Sequence, residues 1–176
     1  STCTRDLLNG LDAIYPGAVD LLTFESSNGD NLGKGSRWLI EITDDSRTPL
    51  RISSNFRQAI SQSNYDLYHC NALWMYCNHV TCRYARQIGK PYVLSPHGML
   101  YPTALSIKSW KKKLMLLAWF NNDILHANCI HATCEDEMRY CRQFGYKGPI
   151  AIMSFQKGYV GKWQLISIRL LAILVG

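Results

Sequence analysis

The sequence predicts an α/β fold in which a mainly parallel sheet carries helices on both of its faces. Residues 65–98 contain a strand, a helix and a second strand, and two strands joined through a helix in this way run parallel. Short apolar segments suited to strands alternate with segments of helical spacing along most of the chain. Glycine and proline stand between these segments, where they end helices and open turns. These observations together indicate a Rossmann-like domain.

The elements before the central unit begin with a predicted helix, whose leucines recur at helical spacing and which ends at Pro16 and Gly17. Predicted strands follow at residues 19–24 and 38–42, and a polar loop with three glycines separates them. A short predicted helix at residues 56–60 then leads into the central unit. Each of these segments is too short to be a domain of its own.

The central unit has predicted strands at residues 66–70 and 92–95. The helix between them is predicted from four apolar or aromatic residues spaced four apart, which share one helix face: Tyr76, Val80, Tyr84 and Ile88. Gly89 ends this helix.

The second half of the chain continues the alternation. A long helix is predicted over residues 108–127, and we expect residues 114–120 to be buried because they are apolar on all sides. A strand at residues 129–133 follows, then a helix with acidic residues in its first turn and Gly145 at its end. The last predicted strand covers residues 149–153.

Polar and aromatic side chains follow both strands of the central unit. His69, Asn71 and Trp74 lie at or after the end of the first strand, and Ser95 and His97 follow the second. Open α/β sheets bind ligands beyond the carboxyl ends of their strands. The sequence therefore predicts a binding cleft at this edge of the sheet.

Three segments also carry a family resemblance. Residues 69–74 read His-Cys-Asn-Ala-Leu-Trp, residues 95–99 read Ser-Pro-His-Gly-Met, and residues 131–135 read His-Ala-Thr-Cys-Glu. In this order they resemble the N-terminal domain of retaining family 4 glycosyltransferases, which have the two-domain GT-B architecture. The family pattern has a histidine and a glycine where this chain has Asn71 and Ala72. The resemblance implies one half of a GT-B enzyme.

The resemblance also implies functions for individual residues. Family members transfer a sugar from a nucleotide-sugar to an acceptor hydroxyl, as in the biosynthesis of glycans or polysaccharides. His97 matches a position that faces the donor–acceptor cleft, so it is the candidate catalytic residue. Asn71, Trp74, Ser95 and Gly98 are candidates for substrate binding. For Trp74 a place in the core is an equal alternative to stacking on a sugar, and Ser95 and Gly98 suit structural roles as well.

The resemblance further implies a domain organisation. Residues 1–153 correspond to the acceptor-side domain, without the strand and glycine-rich loop that come before the first helix in the family, and residues 154–176 form a divergent tail. The nucleotide-sugar is then held only by a C-terminal domain, through two glutamates seven residues apart. No pair of this spacing occurs among the four glutamates of the chain, Glu25, Glu41, Glu135 and Glu137. We therefore expect this polypeptide alone to be inactive.

The overall composition limits the partners. The 176 residues carry a net charge of +6, which favours anionic partners and leaves open a non-catalytic α/β module that binds an anionic ligand. No nucleic-acid-binding motif is present, so we expect no nucleic acid partner. Seven cysteines and no visible signal peptide favour reduced thiols and a cytoplasmic location. The acceptor implied by the resemblance is a sugar or a glycan-lipid.

Residue spacing also bears on a metal site and on a membrane-binding segment. Histidine and cysteine cluster near residues 69–82 and 129–134, but neither cluster has paired Cys-x₂-Cys motifs, so we expect no metal site. We also expect no cofactor besides the nucleotide-sugar of the full enzyme. Lys111, Lys112 and Lys113 precede an apolar helix, and this segment either contacts an anionic membrane at its inner face or forms a solvated basic turn.

Overall fold

The structure is a computed structural model, and it describes residues 2–25, 35–107, 109–153 and 170–173. Its seven strands are β1 (Val19–Phe24), β2 (Leu39–Ile42), β3 (Leu67–Asn71), β4 (Tyr92–Ser95), β5 (Cys129–Ala132), β6 (Ile150–Ile152) and β7 (Leu170–Ile173). Its helices are α1 (Thr2–Ile14), α2 (Ser54–Ser61), α3 (Tyr76–Gln87), α4 (Pro102–Ser106), α5 (Ser109–Met115), α6 (Asn121–Leu125) and α7 (Glu135–Phe144), with a π-helical turn (Leu116–Phe120) between α5 and α6.

The strands form one sheet in the order β2-β1-β7-β3-β4-β5-β6, and every neighbouring pair is parallel. This confirms the predicted Rossmann-like fold. Each of the six predicted strands overlaps an observed one, with ends that differ by at most one residue. The alternation of apolar segments with segments that end at glycine or proline was therefore a sufficient signal for these six strands.

Strand β7 was not predicted, and it lies between β1 and β3. Its backbone pairs with β1 from Val19↔Leu170 to Leu22↔Ile173 and with β3 over the same residues. In doubly wound sheets of order 3-2-1-4-5-6, the first strand lies between the second and the fourth. Strand β7 takes that central position here, so the sheet draws on residues from both sides of the domain boundary that we proposed at Met153.

Strand β1 shows that both faces of the sheet are covered. Leu21 packs with Leu8 of α1 on one face. Phe24 points to the other face because side chains alternate along a strand, and its ring lies 5.4 Å from the ring of Phe56 in α2. Ser53 caps α2 by accepting a hydrogen bond from the Phe56 amide, which fixes the start of that helix.

The long helical segment differs from its prediction in burial. Phe120 is buried, but Leu114 and Leu117 are 60% and 85% exposed, so the expectation that residues 114–120 are buried is wrong for these two leucines. A helical segment with apolar residues on all sides can bury only the side chains that face a neighbouring element of the fold. The side of Phe120 meets the core, and the side of Leu117 faces outward. Within the described residues, no helix combines the length and the apolar character needed to cross a bilayer.

Candidate functional site

The carboxyl ends of β3, β4 and β5 bring four polar side chains to one face of the sheet. Asn71 pairs with Ser95, and Leu94 pairs with Ile130, so Ser95 and His131 stand side by side. His69 is two residues before Asn71 and therefore points to the same face. The predicted site residues Asn71 and Ser95 are thus placed together by strand register, and His69 and His131 join them.

A chain of hydrogen bonds runs through this face. Ser95 Oγ lies 2.7 Å from His69 Nε2 and 2.9 Å from His131 Nδ1. His131 Nε2 lies 3.2 Å from the Met153 carbonyl oxygen, which can only accept, so this nitrogen carries a proton. In a neutral His131 the Nδ1 atom then accepts from Ser95, and Ser95 in turn accepts from His69 Nε2. The hydrogen bonds thereby select one tautomer for each imidazole.

The imidazoles of this face are neutral at physiological pH. Burial lowers the pKa of His69 to about 3, and the neighbouring His131 and His97 add to the shift. Burial also lowers the pKa of His131, against the opposing hydrogen bond to Met153. Neutral rings both donate and accept hydrogen bonds, which is the chemistry that binds hydroxyl groups.

His97 lies on a left-handed turn directly after β4. Its φ is 50°, and the φ of Gly98 is 75°, so two successive residues adopt a conformation that L side chains rarely take. His97 Nε2 donates to Asn71 Oδ1 at 3.3 Å. Burial lowers the pKa of His97, while the negative charge of Glu137 acts in the opposite direction. The residue as a whole is exposed, so the imidazole reaches solvent at the carboxyl edge, while the ring is partly buried where Nε2 donates to Asn71.

Glu137 holds this turn in place, and the sequence analysis assigned it no role. Its side chain is fully buried and accepts hydrogen bonds from the Gly98 amide, from the Thr133 amide at 2.7 Å and from the Thr133 hydroxyl at 2.8 Å. Glu137 is the third residue of α7, the position from which an acidic side chain reaches back to free amides at a helix start. The position of Glu137, three residues after the helix cap Cys134, was the sequence signal that could have identified it. Glu135, two residues earlier on the same helix, is exposed and pairs with Arg139.

Trp74 is placed differently from the other predicted site residues. It has a φ of 68° in the turn after β3. Asn78 braces this turn, because its Nδ2 donates to the carbonyl oxygens of Asn71 and Ala72. The Trp74 ring packs against Phe120, with ring centroids 5.7 Å apart, and Lys112 Nζ lies 5.5 Å from its centre. Phe120 and Lys112 belong to the segment from α5 to α6, and neither of them contacts His69, His97 or His131 in a hydrogen bond or ring pair of the described residues.

The structure thus brings together four of the five predicted site residues: Asn71, Ser95, His97 and Gly98. In the ranges that the structure covers, no group of three or more His, Cys, Asp or Glu side chains could hold a metal ion. The site that results is a cluster of neutral imidazoles, one amide and backbone groups at the carboxyl edge, with His97 as its exposed histidine. Such groups are suited to hydrogen bonding with hydroxyls.

A family model described as a glycosyl transferase 4-like domain covers residues 18–154, which is most of the chain and includes β1 to β6 and every residue of the cleft. No curated protein and no solved structure matches the chain.

Proposed function

Since the chain belongs to the glycosyl transferase 4-like domain family, we propose that it forms the acceptor-side half of a retaining glycosyltransferase. Membership of this family supports a glycosyltransferase-type function in general. The observation that carries the finer proposal is the His97 turn, which presents an oriented imidazole at the carboxyl edge of β4. The reaction is transfer of a sugar from a nucleotide-sugar to an acceptor hydroxyl, in glycan or polysaccharide biosynthesis.

The proposed role of each site residue follows from its exposure to solvent and from its hydrogen bonds. His97 is exposed, so it is the residue proposed to contact the substrate and to act in catalysis. Asn71 holds the imidazole through its side-chain oxygen and lies at the edge of the same cleft. Ser95 is fully buried and uses its hydroxyl between two histidines, so it acts as a positioning residue. The Gly98 amide is bonded to Glu137, and this glycine serves the turn.

Trp74 remains a proposed substrate-binding residue only through the edge of its ring. Lys112 and Phe120 contact its ring, which favours a structural role over a sugar platform. The acceptor that this cleft would hold is a sugar or a glycan-lipid, since imidazole and amide groups match hydroxyls. We propose no resident metal or cofactor, and elemental analysis after dialysis tests this: about one zinc per chain would overturn it.

The donor side is proposed to require a second domain. None of the four glutamates has the spacing that the resemblance implies for donor binding. The 176-residue chain alone should therefore give no product with radiolabelled nucleotide-sugars and should bind them weakly or not at all. Most of the rate in such a reaction comes from holding donor and acceptor together. Turnover of a labelled nucleotide-sugar by the purified chain would contradict this part of the proposal.

A peripheral contact with membrane is proposed for the α5 region, with the protein cytoplasmic and docked on the inner face. Trp110 is 68% exposed and, with Leu114 and Leu117, forms an apolar surface next to Lys111 and Lys113. Apolar and basic side chains on one helix suit the surface of an anionic bilayer. Flotation with anionic vesicles should recover the protein and should weaken with salt. Equal recovery with neutral vesicles would remove the proposal.

A further inference from the structure

A second groove lies between α3 and the segment that runs from the π-helical turn into α6. It has a volume of about 540 Å³, within the range of small-molecule sites. One wall carries polar and cationic side chains from α3: His79, Arg83, Arg86 and Gln87. The other wall carries Ala118, Trp119 and Asn122. Neither wall contains a residue of the proposed cleft.

The α3 wall is built by helix periodicity. His79, Arg83 and Arg86 are spaced four and three residues apart, so they lie one above another on the same face of α3. On the opposite side, the π-helical turn places Ala118 and Trp119 in the groove. Single π-helical turns inside α-helices are frequent at functional sites.

A buried carboxylate fixes two of the groove's side chains. Asp123 is 1% exposed and accepts from His79 Nδ1 at 2.7 Å and from Arg86 Nη2 at 2.6 Å. Arg86 also donates to the Tyr92 hydroxyl at 2.9 Å. The bond to Asp123 places the Nδ1 proton of His79, and it leaves Nε2 without a hydrogen bond to any residue in the described ranges. The His79 ring is also held by stacking on Trp119, at 5.6 Å between centroids.

The charge balance of the groove is positive. Arg86 neutralises Asp123, since the two form an ion pair. Arg83 is exposed and makes no ion pair or hydrogen bond with the part of the chain that the structure describes. Its guanidinium fork is the group best suited to the paired oxygens of a phosphate. The amides of Gln87 and Asn122 add hydrogen-bond donors beside it.

We propose that this groove is a binding site for a small phosphate-bearing metabolite, separate from the glycosyltransferase cleft. Arg83 supplies the uncompensated charge and the fork, and Trp119 forms the wall beside it. His79 Nε2 carries no proton when Nδ1 donates to Asp123, so it accepts a hydrogen bond from a hydroxyl of the ligand. A free phosphate compound fits the groove better than a membrane headgroup does, because the exposed apolar residues Trp110 and Leu117 are not part of its lining.

The test is an NMR titration with inorganic phosphate and with glycerol 3-phosphate, against chloride at matched ionic strength. Saturable shifts are expected at the His79 imidazole and the Arg83 guanidinium, while His97 stays unshifted. Arg83→Gln should weaken binding about tenfold, as expected for loss of a charged hydrogen-bonding group. Arg139→Gln, which removes an exposed arginine of α7, is the matched control and should leave binding unchanged.

The proposal is overturned if chloride produces the same shifts, if the Arg83→Gln protein binds phosphate as the unaltered protein does, or if only anionic vesicles bind. Shifts centred on His97 would also overturn it, because they would place the anion in the cleft. Failure of this site leaves the glycosyltransferase proposal intact, since the two share no residue.

Discussion

The Glu137 carboxylate accepts a hydrogen bond from the Gly98 amide, so the first turn of α7 holds the turn that presents His97. The two residues are 39 positions apart in the sequence. The same carboxylate also holds Thr133 at the end of β5. One buried acid therefore ties together the loops that follow two neighbouring strands of the candidate cleft.

Replacing Glu137 by Gln should lower the pKa of both His97 and His131. The negative charge of Glu137 raises both pKa values, and glutamine removes that charge while keeping the shape of the side chain. An NMR titration of the imidazole resonances measures the change. Glu135→Gln, on the same helix but exposed, is the control and should leave both values where they are. An unchanged His97 titration in Glu137→Gln would show that the carboxylate does not act on the cleft.

Replacing Glu137 by Ala should lower the free energy of unfolding by about 3 kcal/mol. The substitution leaves the Gly98 and Thr133 amides without a buried acceptor, and each buried unsatisfied group costs about 1–3 kcal/mol. Urea denaturation followed by circular dichroism measures the difference. A loss below about 0.5 kcal/mol, the level of an ordinary surface substitution, would show that Glu137 is not needed as the buried acceptor for these amides.

Stability should fall as the pH decreases below about 6.5. The folded pKa of His69 is about 3, and its ordinary value is 6.5, so between these values the unfolded chain binds a proton that the folded chain does not. The stabilisation is therefore fully present above 6.5 and is lost progressively as the pH falls toward 3. His97 and His131, whose pKa values are also lowered, contribute in the same direction.

Urea midpoints at several pH values measure this effect. His69→Gln keeps a donor for Ser95 but removes the titrating ring, so its stability should depend less steeply on pH. His126→Gln, which removes an exposed imidazole at the end of α6, is the matched control and should keep the original slope. Equal slopes for the His69→Gln and the unaltered protein would contradict the neutral buried state of His69.

Cys134 should be the first of the described cysteines to react with iodoacetamide. Its thiol is exposed, and a hydrogen bond from Tyr101 lowers its pKa. Burial raises the pKa of Cys77 and of Cys141 to about 12 and also raises that of Cys82. Because the thiolate is the reactive form, these three should react slowly. Mass spectrometry of a short alkylation identifies the site, and early modification of Cys82 would count against the packing described.

Strand β7 should protect its backbone amides from hydrogen exchange as β1 and β3 do. Its residues pair with both neighbours, so it is a central strand. Ala172→Pro removes a ladder hydrogen bond and should destabilise the protein by about 3 kcal/mol. Exchange at residues 170–173 as fast as in an exposed loop, together with an unchanged melting temperature for Ala172→Pro, would place this segment outside the sheet.

The sequence predicted structure best where the residues that indicate an element lie within or next to that element. Strands β3 and β4 followed from short apolar segments bounded by Asn64, Gly89 and Pro91, and their polar ends predicted the place of the cleft. Strand β7 was missed because an apolar segment near a chain end carries no signal of its partner strands. Glu137 was not identified as a residue of the site because its partner Gly98 is distant in sequence, although its position in the first turn of α7 was a local signal.

The sequence also did not determine burial along the long helix. Apolar composition around Leu117 suggested the interior, but whether a helix side is buried depends on which elements lie beside it. Trp74 shows the same limit. Its position after β3 was predicted, while the packing of its ring against Phe120 and Lys112 depends on a helix some 40 residues later.

The most direct test of the central claim is a titration of isotope-labelled protein with a panel of methyl glycosides, read at the histidine imidazoles. The account predicts saturable shifts at His97 for at least one glycoside, their loss in Asn71→Ala, and no shift at the exposed His126. Nucleotide-sugars should shift His97 no more than the matching glycoside does. Absence of any saturable shift at His97 across the panel would contradict the claim that this cleft binds a sugar acceptor.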